Sequence, residues 1–349
     1  MTSAGGVTPD AAAGGTRRFA TAADLAGPVR AGFGAQRRIT AIDRLRGASK
    51  KGVYRLWLDS GSAVICYVWA ADENYWPGGP DGAVADLADP FSEASGAEEF
   101  EAGHTELASL GVPVPELIVL DRSRSAYPAD IALVEDVPGP SLEQRLAGQE
   151  PGTRQTMMLL GESLRAMHSH AGPRAGKLAW ARSAAAAGQP QQPCEQVVLA
   201  RALSDLASSA RLDGRVAAVR ERLQELLCRL RAAIAPRQRL GLVHGELGPD
   251  HVLVRADGTP VLIDIEGLMF FDAEWEHVFL QLRFRDHYGY LADPGLDEAR
   301  LLLYRLAMHL NLVAGPLRVE PDFPDRAAML DIAEWNLQRV LRLERELAR

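Results

Sequence analysis

Lysine is nearly absent from this chain of 349 residues: Lys50, Lys51 and Lys177 are the only three among 38 basic side chains, and arginine supplies the rest. Any role that needs a compact, titratable ammonium must therefore fall to one of three positions. Cysteine is equally scarce. Cys66, Cys194 and Cys228 lie far apart with no Cys-x-x-Cys spacing, which excludes a disulfide framework and a zinc knuckle and makes a reducing cytoplasm the default. No segment approaches the ~18 uninterrupted apolar residues of a membrane span. A net charge of −8 argues against non-specific nucleic-acid binding. Residues 1–17, rich in Gly, Ala, Thr and Ser, lack both a basic head and a sustained apolar core, so they read as a mobile tail and not a signal peptide.

What remains is a chain of globular composition, 47% apolar and 24% charged, long enough for one large or two ordinary domains. Its chemistry concentrates in residues 241–266, GLVHGELGPDHVLVRADGTPVLIDIE. Glycines and a proline put His244, Glu246 and Asp250 on a loop. HVLV and PVLIDI are β-branched-rich strand candidates, and Asp257-Gly258 between them is a hairpin signal. The hairpin returns Asp264 and Glu266 to the neighbourhood of Glu246 and His251. Carboxylates and an imidazole at one mouth suit a hard divalent cation and a general base. Singly, each could be a structural histidine or a solvated loop acid. As a set, with Asp264 embedded in an apolar run, they read as a site.

The strings HGELGPDHVLV and VLIDIE resemble the catalytic loop and metal-binding strand of the aminoglycoside phosphotransferase family, protein-kinase-like enzymes that phosphorylate small molecules. The resemblance runs over residues 39–290 and is strongest over residues 243–266. It implies an α+β, protein-kinase-like two-lobed fold: a small N-terminal antiparallel β-sheet lobe over residues 18–137 and a larger, mainly helical C-terminal lobe over residues 138–349. It implies Asp264 as the metal ligand, Glu246 where the family has an aspartate base, His251 where it has a metal-binding asparagine, and His244 as a brace of the loop. In GLMFFDAEWEH, Asp272 matches the first and Glu276 replaces the second of two family acids that, the resemblance implies, bond the catalytic loop and cap a helix.

Upstream, ITAIDRL, GASKKG, VYRLWLD, a Ser60-Gly61 turn and AVICYVW follow the order of a nucleotide-covering hairpin, with Gly47 and Ser49 in its loop. Kinases place a phosphate-gripping lysine on the next strand. Here Cys66 or Tyr67 stands there, so phosphate contact falls to Lys50, Lys51 or an arginine such as Arg46 or Arg55, and Lys50 and Lys51 are either the replacement or a solvated loop pair. Residues 97–110 read as a helix, and the resemblance puts the kinase-type pairing glutamate at Glu101. The backbone of residues 135–137, Glu135 and Val137 included, takes the place of the hinge that holds the nucleobase. Ser141 reads as an N-cap, and four amphipathic helices follow before and after the central motif.

The implied function is metal-assisted transfer of a phosphoryl group from ATP or GTP to a hydroxyl of a small molecule, an antibiotic first among the candidates. Mg2+ is the implied metal, with Mn2+ favoured if His251 is a ligand, since imidazole suits Mg2+ poorly. The partners are a nucleoside triphosphate and a small hydroxyl-bearing substrate, without nucleic acid or membrane; the oligomeric state stays open. The alternative is a catalytically impaired, kinase-like nucleotide- or ligand-binding protein. A zinc deaminase would need a Pro-Cys-x-x-Cys after His-Gly-Glu, and no cysteine follows Cys228.

Overall fold

The computed structural model of the protein describes residues 17–45, 50–75, 88–92, 94–237, 239–319 and 326–347. Arg46, Gly47, Ser49 and residues 1–16 lie outside this set. The first element is a helix that the motif reading above does not contain, α1 (Ala22–Phe33). It starts at a capping box: the Thr21 hydroxyl accepts from the Asp24 N–H, and the Asp24 carboxylate accepts from the Thr21 N–H.

Strands β1 (Ile39–Arg44), β2 (Gly52–Leu58) and β3 (Ala63–Trp69) then form a meander, followed by helix α2 (Ala97–Ser109) and strands β4 (Leu117–Asp121) and β5 (Asp130–Glu135). Together they make a five-stranded antiparallel sheet of order β1-β2-β3-β5-β4. Alternation along β3 divides its side chains between two helices. Val64, Cys66 and Val68 pack with Leu25 and Val29 of α1, whereas Ile65 and Tyr67 face Phe100 and Leu107 of α2. Tyr67, and not Cys66, is therefore the β3 residue turned toward the cleft.

The larger lobe contains α3 (Leu142–Gly148), α4 (Thr153–Ser169), β6 (Gly176–Lys177), α5 (Leu178–Arg182), α6 (Cys194–Leu212) and α7 (Gly214–Ala232). After these come β7 (Gly241–Val243), the hairpin β8 (Val252–Val254) and β9 (Pro260–Leu262), β10 (Met269–Phe271), α8 (Ala273–Phe284), α9 (Glu298–Leu317) and α10 (Arg326–Leu347). Ser141 starts α3 with a second capping box. Helix α9 is the central one, packed by α6, α7, α8 and α10 and burying Leu303, Tyr304, Leu306, Leu310 and Val313. Among the described residues, no helix is long and apolar enough to cross a membrane.

Two features position the site. Helix α2 is fastened to the larger lobe: a Cβ at Gly103 would stand 2.8 Å from the Ile265 carbonyl oxygen, and the buried Glu106 carboxylate takes up Arg182 of α5 and His170. The three-stranded sheet β6-β10-β7 pairs both Lys177 and Val243 with Met269, which brings residues remote in sequence to the start of the loop after β7.

Candidate active site

The loop that follows β7 is held from below by one buried carboxylate. Glu276 on α8 accepts from the backbone N–H of His244 (3.0 and 3.2 Å) and of Gly245 (3.2 Å), and its other neighbour is His168 Nε2 at 3.2 Å. Burial would raise this carboxyl, but the His168 contact and the loop N–H groups draw it below the usual glutamate value, so it accepts as an anion. The His244 ring donates from Nε2 to the Ile263 carbonyl (3.0 Å) and lies against the His251 ring, with centroids 6.0 Å apart. His251 donates from Nδ1 to the Glu246 carbonyl (2.9 Å), which leaves Nε2 facing Asp264 Oδ2 and Asp250 Oδ2, each 3.8 Å away. The Glu246 side chain is exposed at the lip of the loop.

Asp264 ends the hairpin in the left-handed region, at φ 59° and ψ 47°, which aspartate tolerates better than most residues. This turn lifts its carboxylate out of the β9 line and toward the smaller lobe. There Asp264 Oδ1 meets Lys51 Nζ at 2.9 Å, and the Glu266 carboxylate binds the same ammonium. Lys51 precedes β2, is 7% exposed, and sits over the Tyr67 ring at 5.0 Å. It thus places a cation beside the cleft-facing β3 residue although β3 itself carries none. Burial alone would strip its proton, but the Glu266 and Asp264 carboxylates hold it well above the ordinary lysine value. The same ammonium keeps the Asp264 carboxyl well below the usual range, against burial and with help from His251. Glu266, 5% exposed, has one oxygen on Lys51; its other oxygen, Oε2, is buried with no hydrogen-bond partner among the described residues.

Several implied residues stand elsewhere. Glu101 points to the surface and pairs with Arg122 at 2.7 Å, because Phe100, Gly103 and Leu107 define the buried face of α2 and the next residue is turned by about 100°. The half-buried acid on that helix is Glu99, whose carboxyl is pushed up by burial and by the charges of Glu98 and Glu266. Asp272 does not bond the catalytic loop, and its side chain does not cap α8. Its carboxylate instead neutralises the fully buried Arg300 (2.5 Å) and accepts from the Tyr304 hydroxyl (2.5 Å), a buried cation having first claim on any nearby anion. Glu135 spends its N–H on the Glu116 carbonyl (2.9 Å) and its carboxylate on a two-pronged pair with Arg255 (2.6 and 2.7 Å). The pair with Arg255 ties the lobes together, whereas the N–H bond stays within the smaller lobe; Val137 is buried just beyond them. Lys50 holds its place at the end of the glycine loop, its carbonyl accepting from the Ser95 hydroxyl at 3.3 Å.

Sequence reasoning missed Glu266 as a partner of Lys51, Glu99, and Lys177, a 7%-exposed lysine on β6 whose ammonium donates to the Gly267 carbonyl at 3.2 Å. Glu266 could have been found from the i, i+2 spacing of IDIE; the other two carry no local signal.

The sequence matches the profile of the phosphotransferase enzyme family (APH) over residues 69–310. No curated protein matches it. Solved structures with the same fold include aminoglycoside phosphotransferase APH(4)-Ia, 17% identical, with 93% of this chain and 99% of that chain covered at a TM-score of 0.59. A thermostable mutant of that protein, in ternary complex with AMP-PNP and hygromycin B, is 17% identical over 92% of this chain and 98% of that one, at a TM-score of 0.59. The GDP and kanamycin complex of APH(2")-IIIa is 17% identical over 91% and 97%, at a TM-score of 0.54. Identity this low speaks for the fold alone, whereas the profile match spans most of the chain and takes in the whole loop from His244 to Glu266. On that match the protein belongs to the phosphotransferase enzyme family, as a kinase-like member with two lobes.

Proposed function

We propose that the protein transfers the γ-phosphoryl group of ATP or GTP to a hydroxyl of a small molecule. The observation that carries this reading is Lys51: a buried ammonium bonded to Asp264 and Glu266, over the ring of Tyr67, supplies from the residue before β2 the cation that β3 lacks. The acceptor hydroxyl attacks the γ-phosphorus, the bond from that phosphorus to the β,γ-bridging oxygen breaks, and the nucleoside diphosphate leaves. Glu246, exposed at the lip of the loop, orients the hydroxyl and takes its proton. His244 and Glu276 fix the loop that carries it.

The donor set fits a divalent cation held together with phosphates. Asp264 Oδ2 and His251 Nε2 face one another, and among the described residues Glu266 Oε2 is unpartnered and no three such side chains form a closed cage. Such an open arrangement is the usual one for Mg2+, which takes one or two protein ligands and completes its shell from phosphate and water. Bound there by Asp264, with His251 beside it, the ion would neutralise charge on the β- and γ-phosphate oxygens. Lys51 would then turn from the carboxylates to the phosphates.

A hydroxyl-rich antibiotic is the acceptor to test first, because the similar folds include complexes with hygromycin B and kanamycin. Dependence on a nucleoside triphosphate, with cysteines that form no disulfide, fits the cytoplasm. One observation favours the second reading, a nucleotide binder without turnover: Lys51 already occupies both carboxylates. Incubation with labelled ATP and GTP against aminoglycosides, cyclic peptides and nucleoside antibiotics separates the two. Transfer to any acceptor that falls by a factor of about 10² or more in Glu246→Gln, with nucleotide binding retained, supports the enzyme. Binding without transfer in both proteins supports the binder.

A further inference from the structure

A chain that uses arginine at 35 positions and lysine at three has little lysine to spend on its surface. All three lysines gather at the cleft. Lys50 ends the glycine loop, Lys51 sits between the carboxylates of Asp264 and Glu266, and Lys177 is buried beneath the loop that carries Glu246. Lysine differs from arginine in being a compact point charge that fits a narrow buried site.

Lys177 is the unexplained member. Its side chain is 7% exposed, its ammonium donates to the Gly267 carbonyl at 3.2 Å, and no carboxylate among the described residues forms an ion pair with it. A buried cation without a counter-ion is costly, and of the three N–H groups of Lys177 one meets an acceptor among the described residues, the Gly267 carbonyl. The charged groups that reach it come from four separate elements: Glu246 of the catalytic loop, Lys50 of the glycine loop, Asp89 of the segment before α2, and Glu99 of α2 itself. Met269 pairs with Lys177 on one edge and with Val243, at the start of the catalytic loop, on the other, so Lys177 stands beside the loop that carries Glu246. The Gly267 carbonyl that fixes it stands 3.8 Å from a Cβ built on Gly245, the residue before Glu246. Lys177 is thus anchored against the loop by the backbone and not by an acid, which leaves its charge uncompensated until an anion arrives. Burial accordingly brings its ammonium down to about 8, against the pull of Glu246.

We propose that Lys177 is a catalytic cation that contacts the γ-phosphoryl group of the nucleotide, from the side of the larger lobe, opposite Lys51. The proposal rests on the phosphotransferase reading above. Lys177 gives up no proton in the transfer; its ammonium stays bonded to the phosphoryl oxygens as they pass from the β,γ-bridge to the acceptor oxygen, while Glu246 takes the hydroxyl proton.

The test is a comparison of ligands that differ by one phosphate. Binding of AMP-PNP and of ADP, each with Mg2+, is measured by calorimetry on the full chain, on Lys177→Met and on Lys177→Gln, whose amide still donates to Gly267. The wild type should bind AMP-PNP more tightly than ADP. Both variants should lose about tenfold or more in AMP-PNP affinity, the worth of one hydrogen bond to a charged group, while ADP affinity stays within about twofold. Retained ADP binding also shows that the variant is folded. With three lysines, a spectrum of 13Cε-lysine holds three signals, so the wild type supplies a reading free of any mutation: the Lys177 signal should move with AMP-PNP and not with ADP. Equal loss for both ligands, no loss for either, or a Lys177 signal unmoved by AMP-PNP would overturn the assignment while leaving the phosphotransferase reading intact. A wild type that binds neither nucleotide would overturn both.

Discussion

Replacing Lys51 by methionine removes one ammonium from two carboxylates, and the structure sets what that should cost. Asp264 has a side chain 47% exposed, so solvent takes over much of the lost interaction there. Glu266 is 5% exposed and loses the cation on Oε1, while Oε2 has no partner among the described residues. Breaking a buried pair from one side costs about 3 to 5 kcal/mol, and since only one of the two anions is deeply buried, the lower end is expected: about 3 kcal/mol at pH 7. The dependence on pH follows from the directions of the shifts. Asp264 is depressed in the folded state, so its share of the stability is present above the unfolded carboxylate value and is lost as pH falls through the folded one. Lys51 is raised, so its share is full below about 10.5, its ordinary value, and is lost only at still higher pH. The gap between wild type and Lys51→Met should therefore be widest from about pH 5 to 10 and narrow on acidification. Urea denaturation at pH 7 and at about pH 3, below the unfolded carboxylate value, measures it, and nucleotide affinity measured alongside should fall by about tenfold or more. A Lys51→Met protein as stable as wild type at pH 7, with unchanged nucleotide binding, would refute both the bridge and its role.

Two further outcomes follow from histidines. His251→Asn exchanges an imidazole for an amide oxygen beside Asp264 and should shift the preference from Mn2+ toward Mg2+; a wild type that turns over as fast in Mg2+ as in Mn2+ counts against His251 as a ligand. His277, buried against Tyr288 (3.0 Å) and His168, is lowered to about 4 by burial first and then by its neighbour. The unfolded chain takes up this proton near pH 6.5 and the folded chain only near 4, so stability should drop by up to about 3 kcal/mol across that window. In His277→Gln the fall should be shallower. An equally steep fall in the variant would mean that another group carries the acid sensitivity.

Within this chain, the sequence alone determined what depends on neighbours along the backbone. The span of β3, the capped start of α3 at Ser141 and the β8–β9 hairpin over Asp257-Gly258 are legible because alternation, capping side chains and turn residues act over a few residues. Helix α1 carried the same kind of signal in Thr21 and Asp24, but Gly27, Pro28 and Gly32 dilute its helical pattern. The match of HGELGPDHVLV and VLIDIE to a family is also local, and it named the loop that folds around His244. Tertiary structure decided which side chains meet across that loop. A helix turns by about 100° per residue, so the packing of Phe100 and Leu107, and not the order of acids in the sequence, sent Glu101 to Arg122 and Glu99 inward. Arg300, buried by α9, took Asp272 away from the catalytic loop and left Glu276 to hold it. Strand β10 set Lys177 beside the loop after β7 by pairing with both β6 and β7, a juxtaposition no spacing announces. The missing β3 lysine was plain in the sequence; that Lys51 reaches Asp264 and Glu266 over the face of Tyr67 depends on how two lobes close on one another, and only the folded chain contains that information.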